Sequence, residues 1–371
     1  MTIDQLHIIN FKSIASAECS FSSKINCFVG LNGMGKTNFL DALHYLSFVR
    51  SHLGIPDTLA VRQGQEIAML EGLYSSHNGD QRSVMLTLRP GKKKILRRNQ
   101  KEYTKLSEHI GQFPLVIISP QDYQLIQGGS DERRRFLDQL LSQQDASYMN
   151  ALIQYNKNLV QRNSLLKNEH KDIALMEVIE MQMDRYGTMI ASKRRQFIHE
   201  FIPIFNEYYA IISGGHERIN LSYETQLTPD APVLMEQLRL SRPKDYILGY
   251  TTHGIHKDEL LMTLNGELIR KVGSEGQNKS FLISLKLAQF AHLRKDNPEI
   301  PILLMDDIFD KLDSERVERI INLVGGNEFG QIFITDTNRK YLDEIIRKWS
   351  NDYKIFRIYN GDIHEETSHR L

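Results

Sequence analysis

Gly30-Leu31-Asn32-Gly33-Met34-Gly35-Lys36-Thr37 fits the pattern G-x-x-x-x-G-K-[ST], and the residues on either side decide its reading. Ahead of it, Ile25-Asn26-Cys27-Phe28-Val29 is a short apolar run of strand formers. Behind it, Asn38 to Leu46 carries apolar residues at Phe39, Leu40, Leu43 and Leu46, which is helical spacing. Strand, glycine loop and helix in that order describe a phosphate-binding loop better than a glycine turn ahead of a surface helix. The glycines let the backbone curl until successive N–H groups point at a β-phosphate, and the helix N-terminus adds its partial positive charge. On this reading Gly30 through Asn38 line an ATP site. Lys36 reaches the β- and γ-phosphates, and the Thr37 hydroxyl ligates Mg²⁺.

A chain of 371 residues can bury a large core and is expected to form two or three structural units. Lys+Arg and Asp+Glu both number 46, so the formal net charge is zero, and a broadly basic nucleic-acid coat is excluded. Any nucleic-acid contact must come from local patches. The two cysteines, Cys19 and Cys27, are expected in neighbouring strands and point to buried thiols in a reducing compartment. No apolar run approaches the ~18 residues of a membrane span, and the N-terminus does not read as an export signal, so a cytoplasmic protein is expected.

Gln5 to Lys12 and Ala17 to Phe21 read as strands that precede the one feeding the loop. Ile67 to Tyr74 and Arg82 to Leu88 read as a hairpin around His77-Asn78-Gly79-Asp80, with a third strand near Ile95. Lys92-Lys93-Lys94 with Arg97, Arg98 and Lys101 is the densest positive charge in the first third of the chain. It is either a lysine-protected hairpin edge or a contact for a phosphate backbone. Leu115-Val116-Ile117-Ile118 is a short buried-type strand broken by Ser119-Pro120-Gln121-Asp122. From about Arg133 to Phe201 glycine almost disappears and apolar residues recur at helical spacing, a lobe of packed helices too short for a long coiled-coil arm. Pro203 is expected to end or kink the last of them. Arg133-Arg134-Arg135 and Lys193-Arg194-Arg195 are expected on solvated helix faces. Residues Gly214 to Leu240 read as a turn-rich connection with one strand near Leu221-Ser222-Tyr223, and strands are expected again at Tyr246 to Tyr250 and Glu259 to Leu264. Near the end, a helix, a strand at Gln331 to Thr335, another helix and a strand at Ile355 to Ile358 are expected.

Pro301-Ile302-Leu303-Leu304-Met305-Asp306-Asp307 is an apolar strand that ends in paired carboxylates. Far downstream of a phosphate loop, such a pair serves the metal and the attacking water. Asp306 is expected to hold Mg²⁺ and Asp307 to orient or deprotonate the water, at the ends of neighbouring strands. Ser274-Glu275-Gly276-Gln277 heads a helix and offers a second anion site through the Ser274 hydroxyl and the N–H groups around Gly276 and Gln277. One γ-phosphate occupies one phosphate loop. A second such site on the same chain makes sense if it meets the nucleotide of another copy, which is the logic of ATP-binding-cassette enzymes.

With these residues in view the chain resembles the RecF family of bacterial recombination and repair ATPases. The resemblance rests on Ile9-Asn10-Phe11-Lys12 before the loop, Ser119-Pro120-Gln121-Asp122 and Arg133-Arg134-Arg135-Phe136-Leu137-Asp138. It continues through Tyr155, Gln161-Arg162-Asn163, Leu165-Leu166-Lys167, Gly254-Ile255-His256-Lys257-Asp258 and Leu303-Leu304-Met305-Asp306-Asp307, nearly end to end. It implies an SMC-like head without a long coiled coil and an ATP-dependent homodimer. It also implies weak ATPase activity stimulated by DNA and binding to double-stranded, gapped DNA. RecR and RecO are the implied partners, with RecA as the protein loaded. The chain departs from the family at Gln121, where Glu is usual, and at Ile255-His256-Lys257-Asp258, so His256 and Asp258 are carried over only as site-adjacent. Asp336 stands where transport cassettes have a switch histidine, and Asp307 is a methylene shorter than the Glu of transporters, which suggests slow turnover.

The fold expected is α/β: a P-loop ATP-binding-cassette head, core mixed sheet plus antiparallel sheet, with an inserted helical lobe. The head is assigned residues 1–118 and 245–371, the lobe 119–244. The alternative is the ATPase subunit of a membrane transporter, against which the size of the helical lobe counts.

Overall fold

Alternating apolar and polar residues build the opening sheet. In the computed structural model, which describes residues 1–168, 172–228, 230–295, 297–310, 312–326, 328–337 and 352–366, β1 (Thr2–Phe11) and β2 (Ile14–Ser20) form a hairpin. β3 (Ile25–Val29) runs into the glycine loop and α1 (Lys36–Phe48), and α2 (Asp57–Ala60) is a single turn. β4 (Ala68–Ser75), β5 (Gln81–Leu88), β6 (Ile95–Arg98), β7 (Lys101–Glu102) and β8 (Leu115–Ile118) follow. Four helices come next: α3 (Gln124–Gln127), α4 (Ser130–Gln144), α5 (Ala146–Lys167) and α6 (Ile173–Ser213). After them lie β9 (Ile219–Glu224), α7 (Leu234–Leu248), β10 (Glu259–Leu264), β11 (Glu267–Leu268) and α8 (Ile269–Val272). The chain then forms α9 (Glu275–Lys295), β12 (Ile302–Asp306), α10 (Ser314–Val324), β13 (Ile332–Asp336), β14 (Tyr353–Tyr359) and β15 (Asp362–Glu365). The helix expected between Thr335 and Ile355 falls largely outside the described residues.

Two compact units result. The first comprises Met1–Asp122, Ile211–Ser213 and Glu275–Leu371; the second comprises Tyr123–Ala210 and Gly214–Ser274. In the first, an antiparallel sheet of order β2-β1-β4-β5-β6-β7 and a mixed sheet of order β15-β14-β3-β13-β12-β8 share one core with α1. Phe28 of β3 stacks on Phe356 of β14 at 4.7 Å and lies 4.3 Å from Phe39 of α1. β14, β3, β13, β12 and β8 run parallel, and β12 is buried along its whole length, which is why its sequence is apolar rather than alternating. β13 lies between β3 and β12, so the loop strand and the acidic strand are not the neighbours the sequence suggested. Cys19 and Cys27 belong to different sheets, both buried and not joined by a disulfide.

The second unit corrects several expectations. Pro203 does not end its helix: α6 runs unbroken from Ile173 to Ser213. Residues 234–248 form α7, so part of the expected connection and the expected strand at Tyr246 to Tyr250 are helical, with Gly249 closing the helix at φ +71°. The buried face of α7 is Leu234, Leu238, Ser241 and Asp245, a helical spacing masked by two polar residues.

Nor are the basic triplets solvated faces. Arg133 pairs with Glu259 at 2.7 Å and Arg134 donates to the Asp258 carbonyl at 2.7 Å. Arg194, 1% exposed, binds Asp138 at 2.7 Å and Asp258 at 2.8 Å. Lys193 pairs with Asp145, and Arg195 donates to the Leu227 carbonyl at 2.6 Å. Of the six, Arg135, paired with Glu132, and Arg195 are the exposed ones. A second buried centre joins Arg162 to Glu180 at 3.0 Å and to Asp245 at 2.7 Å, all three side chains fully enclosed. Through Asp245 and the pairing of β10 with β9, residues 245–274 cluster with the helical lobe rather than with the head.

Candidate nucleotide site

The loop between β3 and α1 has the backbone its glycines allow. Gly33 and Gly35 stand at φ +83° and +111°, where side chains are strained, and a Cβ at Gly30 would lie 2.5 Å from the Ile358 carbonyl oxygen. Met34 accepts from the Gly361 N–H at 3.0 Å, and Asn38 donates to Ser13 of the β1–β2 turn at 2.8 Å. The loop is thereby tied to both sheets of its unit.

A cleft of about 190 Å³ opens at this point, lined by Asn32, Gly33, Gly35, Lys36, Thr37, Asn38, Asp306 and Asp307. Two stretches 269 residues apart thus face one space, as their residue types predict. The Thr37 hydroxyl donates to Asp306 at 2.8 Å. Thr335, the buried penultimate residue of β13, donates to the other oxygen of Asp306 at 2.5 Å. Its carbonyl and hydroxyl each accept from the Asp307 N–H at 3.1 Å. Lys36 folds back onto the carbonyls of Gly30 at 2.5 Å and Leu31 at 3.1 Å. Burial pushes the Lys36 ammonium below its ordinary pKa against the pull of Asp307 and Asp306. Burial raises the Asp307 carboxyl, with Lys36 opposing and Asp306 reinforcing the shift. Two partly desolvated charges with few partners are what a triphosphate and its counter-ion would satisfy.

Mg²⁺ prefers oxygen donors and retains waters and substrate phosphates. The hydroxyl of Thr37 and carboxylate of Asp306, 2.8 Å apart on the cleft wall, suit it. Gly276 and Gln277 lie in the first turn of α9, and neither lines the cleft; Ser274 is the last residue of the second unit. Asp336 is buried at the end of β13. His256 and Asp258 are built into the lobe. The His256 ring lies 2.9 Å from the Tyr155 hydroxyl and 3.0 Å from the Thr251 carbonyl, and burial lowers its pKa to about 4. Asp258 binds Arg194 and Tyr223. Gln121 is exposed, its N–H donating to Ser119 at 3.2 Å.

Sequence reasoning passed over Thr335, Ser13 and a polar chain behind the loop. Asp41, one turn beyond Thr37, accepts from Lys12 at 2.5 Å, Ser51 at 2.7 Å and the His52 N–H at 2.6 Å. His52 lies 2.7 Å from Ser119, whose N–H donates to Asp122, and Asp122 pairs with Lys286 of α9 at 2.9 Å. The one sequence signal was Asp41, a carboxylate set between the apolar pairs Phe39-Leu40 and Ala42-Leu43.

Residues 2–361 match the family model described as the RecF/RecN/SMC N terminal domain. The chain is 64% identical over 363 residues to a protein of Porphyromonas gingivalis named DNA replication and repair protein RecF, covering 98% of this chain and 100% of that one. A protein of the same name from Bacteroides thetaiotaomicron is 48% identical over 98% of this chain and 99% of its own. Among solved structures, the recombination mediator protein RecF with ATP in the RecFOR pathway superposes with a TM-score of 0.88 at 28% identity, covering 99% and 98% of the two chains. The Smc head domain of Pyrococcus furiosus, at 17% identity and a TM-score of 0.58 over 99% and 96%, shares the fold.

Proposed function

The chain belongs to the RecF/RecN/SMC N-terminal domain family, and from that premise we propose that it is an ATP-operated DNA-binding protein of recombinational repair and replication. ATP closes a homodimer on double-stranded DNA near gaps, hydrolysis reopens it, and the clamp works with RecO and RecR in loading RecA in the cytoplasm. The observation that carries this reading is the convergence of Lys36, Thr37, Asp306 and Asp307 on one cleft.

In the reaction water attacks the γ-phosphorus, and the bond from that phosphorus to the bridging oxygen breaks to give ADP and phosphate. Lys36 leaves the carbonyls of Gly30 and Leu31 and neutralises the β- and γ-phosphate oxygens. Asp307 orients the water and accepts its proton, and its raised pKa suits it to that task. Thr37 and Asp306 would hold Mg²⁺, which would offset phosphate charge. Thr335 fixes the Asp306 carboxylate and the Asp307 backbone. Ser274, Gly276 and Gln277 of one copy meet the γ-phosphate held by the other. Among the described residues no helix is long and apolar enough to cross a membrane. The transporter reading draws no support from the relatives, which are named for DNA replication and repair.

ATP turnover measured with Mg²⁺, with and without duplex DNA, tests the proposal. The wild type should turn over slowly and faster with DNA. Lys36→Ala should lose activity by two orders of magnitude or more, at about 1.4 kcal/mol of lost transition-state stabilisation per tenfold. Equal rates in the variant and the wild type would reject the site.

A further inference from the structure

The basic residues fall into three clusters, and the structure withdraws two of them. The triplets at Arg133 and Lys193 are consumed by carboxylates and carbonyls of their own unit, with Arg135 paired outward. Within the third cluster Lys94 binds Asp57 at 2.7 Å, Arg97 faces Glu102 and Arg98 donates to Gln112 at 3.0 Å. What remains is the β5–β6 turn. Arg89-Pro90-Gly91-Lys92 closes through a bond from the Lys92 N–H to the Arg89 carbonyl at 3.1 Å, with Gly91 at φ +71°. Pro then Gly at the two central positions makes a stiff turn. Arg89, Lys92 and Lys93 are exposed on it, and their side chains have no ion pair among the described residues. No acidic residue interrupts Arg89 to Lys101.

The ladder shows what lies beside this turn. Leu88 pairs with Ala68, and Met69 pairs with Ile9, so the end of β5, the start of β4 and the end of β1 share one end of the sheet. Exposed Arg62 sits there, its N–H bonded to the Asn10 carbonyl at 2.8 Å. So does the β1–β2 turn, whose Ser13 holds Asn38 of the phosphate loop. Glu66 is the exposed acid of that stretch, and Asp57 is already paired with Lys94.

We infer that this sheet end, Arg62 with Arg89, Lys92 and Lys93, is where the protein meets the phosphate backbone of a nucleic-acid duplex. The inference rests on the DNA-binding reading above and assigns it a place. Outstretched, unpaired lysines on a stiff turn make phosphate contacts and read no base edges, so the contact is independent of sequence. Its tie through Ser13 to the phosphate loop sets the duplex beside the element that senses ATP. A chain of zero net charge then needs both copies of the patch for useful affinity.

The test is duplex affinity by fluorescence anisotropy across a salt series, with ATP, on the full chain. Lys92→Gln combined with Lys93→Gln is compared with Lys157→Gln combined with Lys244→Gln, which removes the same charge from exposed positions of the other unit. The first pair, which removes two lysines from each of the two copies, should weaken binding by about tenfold or more at ~0.1 M salt and flatten the plot of log K against log salt by about 3 to 4, for any duplex sequence. The control pair should change neither. Unchanged affinity and slope in the first pair overturn the inference, as does a loss traced by light scattering to failed ATP-driven dimerisation. A wild type that binds no duplex instead defeats the DNA-binding reading itself.

Discussion

Asp307 has φ +49°, the left-handed region that a non-glycine residue occupies at a cost, and its N–H is held there by Thr335. The strain points its carboxyl into a partly desolvated cleft, which raises its pKa. Its folded pKa therefore exceeds the unfolded one, so the folded state binds the proton more tightly. The resulting stability penalty is fully present above the folded pKa and absent below the unfolded one. Asp307→Asn should melt at a higher temperature than the wild type at neutral pH, and the gap should close as pH falls through the ordinary carboxylate range. A gap independent of pH would show that the carboxylate carries no such penalty. The loop and the acid pair were legible because each is contiguous along the chain. Thr335 was not, since its role arises only where β13 is inserted between β3 and β12, a matter of strand order that periodicity does not encode.

At the scale of elements, the helices of the second unit are organised around buried ions. α5 supplies Arg162, α6 supplies Glu180 and α7 supplies Asp245. This explains why α7 was misread: a buried aspartate and a proline at 243 break the apolar stripe by which helices are recognised. The same holds for Arg194, whose triplet looks like a solvated face until its partners at Asp138 and Asp258 are in place. Arg162→Leu removes the guanidinium that bridges the two enclosed carboxylates; Glu180 keeps Arg242 at 2.5 Å, but Asp245 is left without a cation, and the protein should lose ~3–5 kcal/mol of stability. Urea unfolding followed by circular dichroism reads this as a lower midpoint; a shift under ~1 kcal/mol would mean that Arg242 and the hydroxyls around Asp245 suffice without Arg162.

For the whole molecule, the two-sheet unit holds one complete phosphate loop with its acid pair. The residues suited to a γ-phosphate at Ser274, Gly276 and Gln277 are not among those that line that cleft; Ser274 belongs to the second unit, Gly276 and Gln277 to the first. This separation is what a nucleotide shared between two copies requires, and the family's SMC-type head fits it. The assignment of residues to units was partly legible, because the near absence of glycine from about Arg133 to Phe201 marks the lobe. Its return point was not, since residues 245–274 join the lobe through Asp245 and the β9–β10 ladder. The most direct test is molar mass by light scattering without nucleotide, with ADP and with ATP, for the natural chain and for Ser274→Arg. The account predicts a dimer with ATP alone, and a monomer throughout for the variant. A wild type that stays monomeric with ATP, or a variant that dimerises as well as the wild type, would contradict it.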